Sequence, residues 1–212
     1  MPEGNCVLPR TVRIMALVSG NGTNLQALLD AEKSCDLGAG KITLVVSDKN
    51  DIYALERARA AGVPVVTVEL DKSKSREERR QYLSDSILNL AKIHGISLIV
   101  YAGFLWILKG KLIEEYAGRM INLHPALLPK YGGPGMFGAH VHGAVLAAGE
   151  TESGCTVHLV DAGTDTGPIL LQRKVPVFPD DTPESLAARI HTEEHIAMVE
   201  AVQIMVERLN KQ

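Results

Sequence analysis

Runs of Val, Ile and Leu alternate with segments of helical spacing through the first two thirds of the chain, and few folds accommodate that order. Val12 to Val18 reads as a strand with no polar face. Leu25, Leu28 and Leu29 then mark one side of a helix, and Ile42 to Val46 is a second apolar run. Asp51 to Ala61 reads as a helix, Val63 to Val68 as a third strand, and Ser75 to His94 as a longer helix with Leu83, Ile87 and Leu90 on one side. Leu98 to Tyr101 and Met120 to Leu123 complete the series. Strands apolar on both faces and separated by helices are the signature of a parallel sheet covered on both sides. Right-handed crossovers must connect them.

The last third has a different pattern. Gly154 to Val160 and Ile169 to Val177 are strand-like, and the loop between them is too short for a helical crossover. That pair is expected to be antiparallel. Asp181-Thr182-Pro183 is a helix start signal, and Met198, Val202, Met205 and Leu209 extend one face of a long terminal helix from about Pro183. The expected class is therefore α/β: a mostly parallel sheet with helices on both faces, a C-terminal antiparallel strand pair and a long terminal helix.

A length of 212 residues suits one domain. Residues 1–10 read as a loose tail without the apolar core of a targeting peptide, and residues 11–212 as a single catalytic domain. With 22 Lys and Arg interspersed among 25 Asp and Glu, no basic face announces nucleic acid. No run reaches the length of a membrane span. Cys6, Cys35 and Cys155 are scattered and form no CxxC pair, which predicts reduced thiols in a cytoplasmic compartment.

The chemistry concentrates at Asn122-Leu123-His124-Pro125 and Asp165-Thr166-Gly167-Pro168. Positions i and i+2 of a strand project from one face, so Asn122 and His124 can converge on one substrate atom. An amide N–H can steady an oxyanion, and an imidazole can move a proton near neutral pH. Asp165 lies in a second turn-rich loop (Asp161 to Pro168) and can orient and charge that imidazole; the same loop read plainly is a hairpin connection. Ser19-Gly20-Asn21-Gly22-Thr23-Asn24 stands between the first strand and the first helix. It fits a phosphate at a helix N-terminus, or else a tight turn capped by Thr23 or Asn24. It is not the GxGxxG of a dinucleotide site, and Asp48 alone stands where a ribose-binding acid would be needed.

His140 and His142 alternate, but in a segment that enters a helix they do not share a face, so no metal site is expected there. His158 reads as a core or loop-tethering residue. His191 and Glu194 share a helix face and either read an amine or hydroxyl or sit in solvent. Tyr101 to Leu108, with Trp106, is core or the wall of a slot for a flat heterocycle. Tyr131-Gly132-Gly133-Pro134-Gly135 is a flexible loop of the kind that covers ligands.

Together these motifs resemble the phosphoribosylglycinamide formyltransferase family, the folate-dependent glycinamide ribonucleotide transformylases of purine synthesis. The markers are S-G-N-G-T-N-L-Q-A-L-L at 19–29, A-G-F-L at 102–105, I-N-L-H-P-A-L-L-P at 121–129, G-C-T-V-H at 154–158, D-T-G-P at 165–168 and E-H at 194–195. The resemblance runs from Val12 through the terminal helix and implies a Rossmann-like formyltransferase fold. It implies transfer of a formyl group from 10-formyltetrahydrofolate, as co-substrate, to the amine of glycinamide ribonucleotide in the route to IMP. Asn122, His124 and Asp165 would be catalytic, with Asp165 raising the His124 pKa. Gly22, Thr23 and Asn24 would hold the ribonucleotide phosphate, and the stretch His191, Thr192, Glu193 and Glu194 would read the glycinamide end. The folate would lie against Arg76, Leu105, Trp106, Ile107, Leu108 and Asn122, and against Asp161, Ala162, Gly163, Thr164 and Asp165. No metal, nucleic acid or membrane is implied, and the enzyme would be a monomer or homodimer.

Trp106 stands where many relatives have Arg, and the 131–142 loop is longer than in many members. Hydrolysis of the same folate and a non-catalytic phosphate-binding module are the rival readings. Hydrolase relatives usually carry a regulatory domain ahead of the catalytic one, for which no room is expected before Val12. Relatives that formylate an initiator tRNA carry a further RNA-binding domain that is not expected here.

Overall fold

The computed structural model describes residues 10–211; the expected tail, apart from Arg10, lies outside the described residues. Seven strands form one sheet: β1 (Val12–Val18), β2 (Gly40–Ser47), β3 (Val65–Thr67), β4 (Leu98–Tyr101), β5 (Met120–His124), β6 (Glu152–Leu159) and β7 (Ile169–Pro176). Their order across the sheet is β3-β2-β1-β4-β5-β6-β7. The first five are mutually parallel, and β6 runs antiparallel to both β5 and β7. The helices are α1 (Thr23–Lys33), α2 (Tyr53–Ala60), α3 (Arg76–Ile93), α4 (Lys111–Glu115), α5 (Ala139–Ala147) and α6 (Pro183–Asn210).

Alternation along β1 explains why both faces had to be apolar. Ile14, Ala16 and Val18 point into one core with Leu25 and Leu28 of α1 and Met198, Val202 and Met205 of α6. Met15 and Leu17 point into a second core with Leu83 and Ile87 of α3 and Leu112 of α4. The capping signals work as their residue types dictate. Ser75 and Glu78 form a reciprocal capping box on α3, and Thr182 with Ser185 does the same on α6, with Pro183 in the first turn.

Some expectations needed adjustment. The third strand is only Val65–Thr67, because β3 is the sheet edge and pairs over just those residues. The strand reversal begins one strand earlier than the expected pair, since β6 is antiparallel to β5 as well. All parallel strands point their carboxyl ends the same way, and the order reverses between β1 and β4. Ligands of open α/β sheets bind at such a switch point.

Candidate active site

A cavity of about 560 Å³ opens along that carboxyl edge. Asn122, His124, His158 and Asp165 all line it, together with Asn24, Asp48, Lys49, Arg76, residues 103–108 and Glu194. The strand geometry places the core of the site. Asn122 and His124 leave one face of β5, and the antiparallel register sets His158 of β6 directly opposite Asn122. Asp165 arrives from the loop between β6 and β7 in a left-handed conformation, φ 57°, which Asp tolerates better than most residues.

The hydrogen bonds define who holds what. His158 Nδ1–H donates to the Leu159 carbonyl at 2.9 Å, leaving Nε2 to accept the Asn122 amide N–H at 3.2 Å. One Asn122 N–H is thereby spent on His158, and the second remains for a substrate oxygen. His124 Nε2–H donates to the Tyr131 carbonyl at 2.7 Å, which turns Nδ1 toward Asp165 Oδ2 at 3.5 Å. The other carboxylate oxygen lies 3.5 Å from His158 Nε2, and the Gly133 N–H donates to Oδ2 at 3.0 Å. Two imidazoles and one backbone amide thus converge on a single carboxylate. Burial pushes the Asp165 carboxyl up. The His158 contact, the Gly133 N–H and the imidazole charges outweigh it, so the group stays below the ordinary carboxylate range.

At His124 the expected pull of Asp165 is present, and burial opposes it. Asp165 and the Tyr131 carbonyl do pull its pKa upward, but burial dominates and leaves it below the usual histidine value. With 3% of its surface exposed, His124 is a neutral base near pH 7.

The residues expected to read a ribonucleotide divide. The α1 N-terminus has Gly22 as its cap at φ 77° and no side-chain capping bond, so the capped-turn alternative is not what the residues form. Its first N–H groups are without intrahelical partners. Of Gly22, Thr23 and Asn24, Asn24 lines the cavity, and its Oδ1 is buried without a partner. On α6, His191 and Glu194 line the cavity. Thr192 is exposed, and Glu193 turns away to pair with Arg173 at 3.0 Å, because successive helical residues point about 100° apart. Glu194 is 4% exposed, and its carboxylate meets His191 Nδ1 at 2.5 Å, a bond that raises the His191 pKa.

On the other side, Arg76 and Leu105, Trp106, Ile107 and Leu108 line the cavity, as do Asp161, Gly163, Thr164 and Asp165; Ala162 does not. Asp48 is not free for a ribose, since Ser19 Oγ and Trp106 Nε1 both donate to it. Met136 and Phe137 of the long loop border the cavity, and Phe137 is largely exposed.

Sequence reasoning missed His158 and Lys49. The signal for His158 was the register of β6 against β5, which no local pattern encodes. His140 is exposed and His142 buried on α5, on different faces. Among the described residues no group of three or more His, Cys, Asp or Glu is arranged to hold a metal ion.

The formyl transferase family model matches residues 12–202. The chain belongs to the formyl transferase family. The phosphoribosylglycinamide formyltransferase of Escherichia coli is 41% identical over 184 residues, covering 87% of this chain and 82% of that protein. The trifunctional purine biosynthetic protein of Drosophila melanogaster is 43% identical over 93% of this chain, which spans only 14% of that longer protein. The crystal structure of glycinamide ribonucleotide transformylase 1 from Symbiobacterium toebii superposes with a TM-score of 0.83 at 37% identity, covering 93% of this chain and 89% of that one. The cavity described above sits on the fold this chain shares with these relatives.

Proposed function

We propose that this chain transfers the formyl group of 10-formyltetrahydrofolate to the amine of glycinamide ribonucleotide, a step of purine biosynthesis, with residues 11–212 as its catalytic domain. One observation carries the reading: Asn122, His124, Asp165 and Glu194 line a single cavity beside an uncapped helix N-terminus. The names of the relatives support the same chemistry.

The amine nitrogen attacks the formyl carbon, and the carbonyl oxygen becomes an oxyanion. The free N–H of the Asn122 amide donates to that oxygen. His124 is neutral with its proton on Nε2, so Nδ1 is the atom that accepts the proton leaving the amine, directly or through one water. The resulting imidazolium faces Asp165, which stabilises it by opposite charge. His124 then returns the proton to the folate nitrogen as its bond to the formyl carbon breaks. Atoms and charge balance, with no covalent intermediate on the protein.

The phosphate rests on the N–H groups of Gly22, Thr23 and Asn24. Buried Glu194, supported by His191, receives the glycinamide end. The folate ring lies along the main chain of residues 105–108 and the 161–165 loop, with Arg76 toward its anionic tail. Folate absorbance followed with and without glycinamide ribonucleotide tests the assignment. Turnover that depends on the amine is expected; amine-independent turnover means hydrolysis, and no turnover overturns the proposal.

A further inference from the structure

We propose that Ser19, Asp48 and Trp106 form a bridge that couples the ribonucleotide and folate subsites, so that each ligand tightens the binding of the other. This rests on the functional reading above and adds a positioning role that the catalytic residues do not supply.

Residues 102–110 have no regular secondary structure between β4 and α4. A segment that grips a ligand by its main chain must nevertheless be held still, and here side chains do the holding. The Leu105 N–H donates to Ser19 Oγ at 3.2 Å, and Ser19 Oγ–H donates to Asp48 Oδ1 at 2.8 Å. Trp106 Nε1–H donates to Asp48 Oδ2 at 2.9 Å. Both oxygens of one carboxylate are therefore committed, one to each side of the bridge. The main chain of Ser19 is tied as well: its N–H donates to the Gly103 carbonyl at 3.1 Å, and its own carbonyl accepts from Lys49 Nζ at 3.1 Å.

Position makes the network a link. Ser19 is the first residue after β1 and opens the loop that runs to Asn24; it is 3% exposed. Leu105 and Trp106 belong to the wall along which the folate is proposed to lie. An indole has a single N–H and no charge, so at this position it commits to Asp48 and leaves its ring to wall the cavity, with the Arg79 guanidinium 5.7 Å from the ring centre. An anion held at the 19–24 loop further restrains Ser19, and Ser19 restrains Leu105 directly and, through Asp48, Trp106. The second ligand then meets a segment with less residual motion left to lose. Linkage makes the effect equal in both directions.

Calorimetry tests this with glycinamide ribonucleotide and a folate analogue in which carbon replaces the reacting nitrogen, so that nothing transfers. In the wild-type chain each ligand is expected to tighten the other by about 5-fold or more. Ser19→Ala, which cuts both arms, is expected to bring that factor close to 1, and Trp106→Phe and Asp48→Ala, which cut the indole arm, are each expected to lower it. Asp48→Asn retains part of it, because its amide oxygen still accepts the indole N–H. The Trp106→Phe/Asp48→Ala double variant should show no further loss, as expected for two ends of one network. Hydrogen exchange gives a second readout: ribonucleotide alone slows exchange of the Leu105 amide in the wild type and leaves it unchanged in Ser19→Ala, which lacks the Oγ that accepts that N–H. A wild-type chain that turns over yet shows no coupling overturns the bridge alone, as does coupling that survives undiminished in Ser19→Ala. A chain that neither turns over nor binds the analogue overturns the functional reading and the bridge together.

Discussion

Asp165 is shared by two imidazoles and a backbone N–H, and its effect on each is separable by substitution. Its charge raises the pKa of His124 against the larger effect of burial. Asp165→Asn removes the charge and keeps the shape, so the His124 pKa should fall still further below its ordinary value and turnover should drop by about two orders of magnitude. NMR titration of the His124 ring in both forms checks this, and an unmoved pKa contradicts it. Asn122→Ala is expected to cut turnover by about two to three orders of magnitude, with ribonucleotide affinity nearly intact, because the oxyanion donor disappears while the α1 N-terminus is untouched. Full activity in that variant would remove Asn122 from the mechanism. Asn122 and His124 were legible in the sequence, since i and i+2 share a face in any strand. His158 was not, because its place opposite Asn122 depends on how two distant strands slide against each other. The net direction at His124 was also beyond reach, as it turns on burial contributed by residues from several elements.

At the scale of elements, the site is made by chain ends that regular structure leaves open. The carboxyl ends of β1, β4 and β5 supply the 19–22 turn, the 102–110 segment and the loop to α5. Gly22 shows why the first of these needs its residue type. Its φ is 77°, and a Cβ there would lie 2.6 Å from the Ala54 Cβ and 2.8 Å from its Cα, so α2 itself would have to move. Gly22→Ala is expected to cost more than about 1 kcal/mol of stability and to weaken ribonucleotide binding. Gly20→Ala meets nothing within 4 Å and serves as the control, with a change below about 0.5 kcal/mol. Urea unfolding with paired binding titrations tests both, and equal behaviour of the two variants would contradict the steric argument. The strands of the parallel half were readable because two-sided burial writes continuous apolar runs. The helix α4 was not, since Lys111–Glu115 is too short to show a period. The loop before α5 was read as a flexible loop of the kind that covers ligands; that its Tyr131 carbonyl and Gly133 N–H grip His124 and Asp165 is a tertiary fact.

Across the whole molecule, α6 packs on α1 and α5 and on strands from both halves of the sheet, so its histidines join the site to global stability. His124 on β5, His142 on α5 and His195 on α6 all have pKa values below the ordinary one, in each case chiefly because burial disfavours the charged ring. Around His142, the carboxylate of Glu194 works against this shift, while His191 and His124 reinforce it. His191 alone is raised, by its bond to Glu194. Between the ordinary histidine value and the lowered native values, the unfolded chain binds protons at three positions that the native chain resists, so stability rises with pH there. His191 has the opposite sign: its contribution is complete below the ordinary value and is lost as pH rises through its raised native value. Three lowered groups against one raised group predict that the urea midpoint falls as pH drops from about 7 toward 5. His142→Gln removes one of the three and should flatten that fall, because His142 Nδ1 is buried with no hydrogen-bond partner and gains nothing from its proton. Melts at a series of pH values on both proteins measure the slope directly. A wild-type midpoint that does not move over that range, or a variant slope as steep as the wild type, would show that these rings do not link the site to the stability of the fold.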